Sequence, residues 1–282
     1  MKAIILAGGL GTRLKPFTQI IPKPLLPVGE SSVLEIQILS LKKHGVTDIF
    51  IATNYMADYV QAFLGDGSKY GVRLVFSKEQ QPLGTCGPVT LLEKELTEPF
   101  FLMNGDILTT LDFGKAYSFA CQHEARLVVL TKEIRTPFSF GKVVSKDDCL
   151  IGLEEKPNFR FEILSGIYVL KPSLFSLIPK NTYYGIDTLI KDMLAAHMKI
   201  GKYLMQEYWL DIGQIEDFQE AQEVYKTHFE HLKSAPAKPP RPPVKTVVSP
   251  MIASSASKLT GPGGETVTRR TFELQRCRRA AG

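Results

Sequence analysis

Residues 2–16 read KAIILAGGLGTRLKP. A short apolar run, 2–7, feeds a loop holding Gly8, Gly9 and Gly11, and then Arg13. A strand that ends in such a loop suits phosphate, because backbone N–H groups approach an anion closely where no Cβ intervenes. Two familiar versions of the device fail on spacing. G-x-G-x-x-G starting at Gly9 and Gly11 needs a third glycine where Leu14 stands, and G-x-x-x-x-G-K-[ST] needs a Lys-Ser or Lys-Thr pair that does not follow. The loop instead carries its own cations, Arg13 and, within PKPLLPV (22–28), Lys23. Arginine can grip one phosphate through two N–H groups while lysine offers a compact charge to another. Pro22 and Pro24 stiffen the backbone on either side of Lys23.

Outward from this loop, apolar runs alternate with amphipathic ones. SSVLEIQILSLKKHG (31–45) reads as a helix, with Ser31 or Ser32 as cap, Glu35 in the first turn and Gly45 at the stop. Strands are expected at 48–54, 72–77 and 99–106, and helices at 57–67 and 87–96. This β-α-β-α-β-α-β order predicts an α/β fold with a mostly parallel central sheet and helices on both faces. Ligands of such sheets bind beyond the carboxyl ends of the strands. The glycine loop and MNGD (103–106) both fall at such ends. In the second half, strands are expected at 125–133, 140–146, 149–157, 161–172 and 199–206, with a helix at 186–197. A long helix over 207–232, opened by Trp209, closes the domain.

Composition bounds the remainder. The 282 residues are 44% hydrophobic and 22% charged, with a formal net charge of +5. That charge sits in 234–282, which holds nine of the 34 Lys/Arg and two of the 29 Asp/Glu, leaving 25 basic against 27 acidic residues in 1–233. The near-neutral body carries no footprint for nucleic acid. The tail has seven prolines and no sustained period, so it is expected to be disordered, a passive extension behind a single domain over 1–233. No apolar run reaches the roughly 18–20 residues of a membrane span, and the amino terminus does not read as a secretory signal. Cys86, Cys121, Cys149 and Cys277 form no C-x-x-C pair and are expected to be free, mostly buried thiols in the cytoplasm.

Asp106 ends a strand, and Asp211 lies among the apolar Tyr208, Trp209, Leu210 and Ile212. Either alone suits a turn or a cap. Together they suit a hard cation such as Mg²⁺, which takes one or two carboxylates plus phosphate oxygens. EEKP (154–157) reads as a surface hairpin or as a site where Glu155 accepts sugar hydroxyls and Lys156 holds a phosphate. The five histidines lie on helix-like stretches without ligand spacing. No nucleophile–base set shows, which suits phosphoryl or nucleotidyl transfer, where the substrate brings its own nucleophile.

The stretch LAGGLGTRLKPFTQIIPKPLLPV (6–28) resembles the signature loop of the sugar-1-phosphate nucleotidyltransferases, the NDP-sugar pyrophosphorylases. EQQPLGTCGP, MNGD, FGKV, EEKP, SGIYVL and YWLDIGQIEDF follow in that family's order. The resemblance covers 1–232 and implies a Rossmann-like nucleotidyltransferase fold, NTP and sugar 1-phosphate as substrates, and Mg²⁺. It implies that Leu6, Gly8, Gly9, Gly11 and Thr12 line the nucleotide, with Gln80, Pro82, Gly84 and Thr85 around the base. Arg13 would bind the β- and γ-phosphates and Lys23 the α-phosphate, while Asp106 and Asp211 hold the metal. Gly141, Glu155, Lys156 and Gly166 would contact the sugar phosphate. PLGTCGP and YWLDIGQ are most similar to mannose- and heptose-1-phosphate guanylyltransferases, with thymidylyl or uridylyl transfer to glucose 1-phosphate as the alternative. Homo-oligomerisation stays open. Where many members have Asn-Ala-Gly this chain has Leu164-Ser165-Gly166, and the β-helix that follows in some members has no counterpart. A non-catalytic nucleotide-sugar binder would have lost one of Arg13, Lys23, Asp106 or Asp211, and a glycosyltransferase would show Asp-x-Asp at 104–106.

Overall fold

The computed structural model describes residues 1–79, 81–234 and the backbone of 246–248. After β1 (Lys2–Leu6) come the two-residue strands β2 (Pro27–Val28) and β3 (Ser31–Ser32), then α1 (Val33–Lys43), β4 (Asp48–Thr53), α2 (Ala57–Leu64) and β5 (Arg73–Lys78). Next are β6 (Phe100–Asn104), β7 (Ile107–Thr109), α3 (Phe113–Gln122) and the long strand β8 (Leu127–Pro137). A hairpin, β9 (Lys142–Lys146) and β10 (Cys149–Glu154), precedes the return strand β11 (Asn158–Leu170). The chain continues through α4 (Ile186–Ala195), β12 (Gly201–Met205), β13 (Trp209–Asp211), α5 (Ile215–His228) and β14 (Thr246–Val248).

The main sheet has the order β12-β8-β11-β6-β1-β4-β5-β14. Only β11 runs against its neighbours, and every other pairing in this sheet is parallel. The apolar run of β1 follows from its central place. Ala3 and Ile5 point into a core shared with Leu34 and Ile38 of α1, Val60 of α2 and Phe113 of α3. Ile4 points the other way, to Val89, Leu174 and Leu189 of α4. A strand covered on both faces has no reason to alternate with polar residues. A third cluster packs Tyr225 of α5 against Val33 and Ile36 of α1. The expected cap is present: Ser32 Oγ accepts from Glu35 N at 3.2 Å while Ser32 N donates to Glu35 Oε2 at 2.8 Å.

Several expectations need correction. Residues 87–92 form a 3₁₀ helix rather than an α-helix. There Thr90 Oγ1 donates to the Gly87 carbonyl at 2.8 Å, and the Cys86 and Gly87 amides are drawn to the Tyr184 carbonyl. Trp209–Asp211 is a strand paired with β7, and the helix starts only at Ile215, after a capping exchange between Gln214 and Asp217. Phe113–Gln122, unassigned in the sequence, is a helix capped by Asp112. Cys86 is buried, but Cys121 and Cys149 are free and exposed, and Cys277 lies outside the described residues. The expected tail also falls mostly outside them. Thr246–Val248 departs from that expectation, running parallel to β5 on its open edge. No described helix is long and apolar enough to cross a membrane.

Candidate active site

A cavity of about 530 Å³ opens beyond the carboxyl ends of β1, β4, β5 and β6. Leu6, Gly8, Gly9, Pro82, Gly84, Thr85 and Asp106 line it, whereas Gly11, Thr12, Arg13, Lys23 and Asp211 do not. Gln80 lies outside the described residues. The wall also includes Asn54, Tyr55, Glu79, Asn104 and Tyr183, which the sequence reading missed. A signal for the first four was available. The strand-end rule applied to β1 and β6 applies equally to β4 and β5, and Asn104 is itself the last residue of β6.

The glycine loop folds back on the segment that carries Lys23. Gly11 has φ +60, and a Cβ there would lie 3.0 Å from Lys23 Cβ, while its carbonyl accepts from Thr18 Oγ1 at 2.7 Å. Lys23 Nζ donates to Asp106 Oδ2 in a partly buried ion pair. Thr12 and Arg13 follow in an exposed 3₁₀ turn. The Arg13 guanidinium lies against the loop after Asp211, its Nη1 3.5 Å from where a Cβ on Gly213 would sit.

Asp106 and Asp211 are brought together by backbone. β7 and β13 pair antiparallel with Asp211 opposite Ile107, and Ile212 N donates to the Asp106 carbonyl at 3.0 Å. Buried Gln37 of α1 braces the same turn, donating through Nε2 to the Asn104 and Ile107 carbonyls at 2.9 and 2.8 Å. Oδ1 of each aspartate is buried without a hydrogen-bond partner. Burial, and then the charge of Asp106, raises the Asp211 carboxyl above its ordinary range, against the pull of Lys23 and Arg13. An unsatisfied buried acceptor costs about 1–3 kcal/mol, and a cation shared by both oxygens would remove that cost. Among the described residues no three His, Cys, Asp or Glu side chains gather as a metal cage. Two carboxylates with unpartnered oxygens instead fit a hard cation such as Mg²⁺, which takes one or two carboxylates and completes its shell with phosphate oxygens and water.

The sugar-side residues divide. Gly166, at φ +72, sits in the bulge of β11 where a Cβ would lie 2.7 Å from Ile107 Cδ1 and 2.8 Å from Asn104 Nδ2. Ser165 beside it is tied in, since Ser165 Oγ donates to the Leu130 carbonyl at 2.9 Å and Trp209 Nε1 to the Ser165 carbonyl at 2.8 Å, whereas Leu164 is exposed. Gly141, Glu155 and Lys156 flank the open end of the β9–β10 hairpin, with Glu155 Oε2 3.3 Å from a Cβ placed on Gly141. All three are exposed and none lines the cavity.

Residues 2–228 match the Nucleotidyl transferase family model. The chain belongs to that family. It is 35% identical over 227 residues to a mannose-1-phosphate guanyltransferase of Yarrowia lipolytica and 36% identical over 228 residues to one of Aspergillus fumigatus. Each alignment covers 77% of this chain and 62% of the relative. The chain therefore spans less than two thirds of the length of these curated relatives. Among solved structures it is similar to HddC from Yersinia pseudotuberculosis complexed with GMP-PN, with a TM-score of 0.62 and 26% identity. That match covers 79% of this chain and 99% of the other.

Proposed function

We propose that this nucleotidyltransferase joins a nucleoside triphosphate to a sugar 1-phosphate and releases pyrophosphate, with GTP and a mannose- or heptose-type sugar phosphate as the favoured pair. One observation carries the reaction class: the unpartnered buried oxygens of Asp106 and Asp211 stand near Lys23 and Arg13, with Asp106 on the wall of a strand-end cavity. The base and sugar lean on the similarity to mannose-1-phosphate guanyltransferases.

In this reading an oxygen of the sugar phosphate attacks the α-phosphorus in line. The new P–O bond forms as the bond to the β-phosphate oxygen breaks, and pyrophosphate leaves with the electron pair. Lys23, exchanging its contact with Asp106 for the α-phosphate, offsets charge at the reacting centre. Arg13 holds the β- and γ-phosphates. Gly8, Gly9 and Gly11 admit the phosphates to the backbone, and Gly141, Glu155, Lys156 and Gly166 receive the sugar phosphate. Asp106 and Asp211 would hold Mg²⁺, which when bound would supply charge neutralisation at the phosphates. The attacking group belongs to the substrate, so the chain needs no nucleophile of its own.

The test is pyrophosphate release with Mg²⁺ across GTP, dTTP, UTP, CTP and ATP, each paired with mannose, glucose and heptose 1-phosphates. The expected signal needs both substrates and is highest for GTP with a mannose- or heptose-type sugar. Preference for dTTP or UTP with glucose 1-phosphate would keep the transferase and overturn the pair. Silence throughout, with nucleotide-sugar binding retained, would make the chain a binder without turnover.

A further inference from the structure

Helix α1 packs inward through Leu34, Ile36, Ile38 and Leu41, and among these buried side chains stands one amide, Gln37, only 3% exposed. Its Nε2 donates to two backbone carbonyls at once, Asn104 at 2.9 Å and Ile107 at 2.8 Å. Only the N–H side of the amide can face two acceptors, so Oε1 is turned away, buried and without a hydrogen-bond partner. An unmatched buried acceptor works against folding. An apolar side chain of similar size would avoid it, as the rest of this helix face does. What the amide gains in exchange is a grip on one turn, and that turn carries Asp106.

Asn104 closes β6 and Ile107 opens β7, so the two bonds bracket Gly105 and Asp106 from either side. Gly105 is wedged in place. Its N donates to the Leu6 carbonyl at 2.9 Å, and a Cβ there would lie 2.6 Å from that oxygen and 3.4 Å from Pro24 Cγ. The start of α1 is joined to the segment that carries Lys23, since Val33 N donates to the Leu26 carbonyl at 3.2 Å and Leu25 shares a core with Leu34 and Ile38. Gln37 therefore ties the helix that follows Lys23 to the turn that presents Asp106. Those two side chains form the ion pair of the candidate site, and the Ile212 amide joins the same turn to the strand of Asp211.

We propose that Gln37 is a positioning residue: by holding the Asn104 and Ile107 carbonyls it fixes Asp106 where it and Asp211 together take a divalent cation. This rests on reading that pair as the metal site of the nucleotidyltransferase. Gln37 acts through the turn, not by touching substrate or cation.

The experiment uses Mn²⁺ alone, a visible substitute for Mg²⁺, and follows its binding by loss of the free-ion electron paramagnetic resonance signal. The proteins are the wild type, Gln37→Met, Gln37→Glu and Asp106→Asn, with melting temperatures and steady-state kinetics measured on each. Gln37→Met keeps the volume and removes both donors. Gln37→Glu keeps the shape and, when ionised, turns acceptors toward both carbonyls, so one variant decides if the other does not fold. Each is expected to weaken Mn²⁺ binding about tenfold and to lower kcat about tenfold, with the KM for sugar 1-phosphate unchanged. The melting temperature of Gln37→Met should stay within about 5 °C of wild type. Wild-type Mn²⁺ affinity and kcat in Gln37→Met, whatever its melting temperature, would overturn the proposal. A sugar KM that rises about tenfold in step would overturn it too, as general loosening rather than a shifted turn. Equal Mn²⁺ binding by wild type and Asp106→Asn would refute the metal reading. Binding lost in Asp106→Asn but intact in both Gln37 variants would refute this assignment alone.

Discussion

Asp106 and Glu155 are both carboxylates that the sequence marks for the site, and their surroundings differ in every respect. Asp106 stands on the turn between β6 and β7, paired with Lys23, bonded through its carbonyl to Ile212 N and braced by Gln37 through its neighbours. Glu155 is exposed beyond a hairpin with almost no apolar cover, where Leu150, Ile151 and Leu153 are 63%, 61% and 63% exposed. In the proposed reading the phosphate end is held in place before any substrate arrives, which is how charges serve a transition state without reorganisation, and the sugar end is carried on a two-stranded projection. The difference predicts where substitutions cost turnover, where they cost affinity, and where they cost neither fold nor nucleotide.

The largest effect belongs to the aspartates. Asp106→Asn and Asp211→Asn each preserve shape and remove the charge that Lys23 and a divalent cation need. Each should lower kcat by about a thousandfold or more, with a near wild-type melting curve. Near-normal Mg²⁺-dependent turnover in either would break the contrast, since the centre would then not depend on its two carboxylates.

Gly166→Ala tests the bulge where β11 meets the phosphate end. The residue sits at φ +72, and its new methyl group would press on Asn104 Nδ2 and Ile107 Cδ1, both ends of side chains that can shift. The left-handed backbone costs about 1–3 kcal/mol, and the displaced Asn104 lines the cavity. The expected result is a melting temperature lower by about 4 °C or more together with weaker nucleotide binding. An unchanged melting temperature would show that the bulge relaxes freely.

The sequence revealed one of these regions far better than the other, for physical reasons. β1 shows as an unbroken apolar run because both its faces are covered. Ser32 and Glu35 announce α1 by spacing alone. Leu6, Gly8, Gly9 and Asp106 could be placed because strand ends of a parallel sheet converge. Asn54 obeys the same rule but carries no glycine or motif of its own to draw notice, and Glu79, although it opens EQQPLGTCGP, is overshadowed by the residues that follow it. What local pattern could not show is pairing across the chain. β13 looks helical in sequence, and only its ladder with β7, which sets Asp211 beside Asp106, makes it a strand. The 3₁₀ turn at 87–92 likewise depends on the distant Tyr184 carbonyl. On the sugar side EEKP left a surface hairpin and a ligand site both open, and the structure contains the hairpin.

Lys156→Ala should raise the KM for sugar 1-phosphate about tenfold, the loss of one charged hydrogen bond, and leave nucleotide affinity unchanged. A kcat effect as large as that of the aspartates would erase the distinction between the two ends.

Gly141→Ala is the mildest probe and the one most specific to the hairpin. A Cβ there would lie 3.1 Å from Leu153 Cδ1 and 3.3 Å from Glu155 Oε2. Both atoms are ends of exposed, flexible side chains, so the backbone need not move and the melting temperature should stay within a degree of wild type. The Glu155 carboxylate, however, must swing away from its position beside the glycine. If Glu155 receives the sugar, the KM for sugar 1-phosphate should rise about two- to threefold, less than one hydrogen bond is worth, with kcat and nucleotide affinity unaltered. Equal KM values for Gly141→Ala and wild type, beside a raised KM for Lys156→Ala, would assign the sugar to Lys156 and leave Glu155 as hairpin surface.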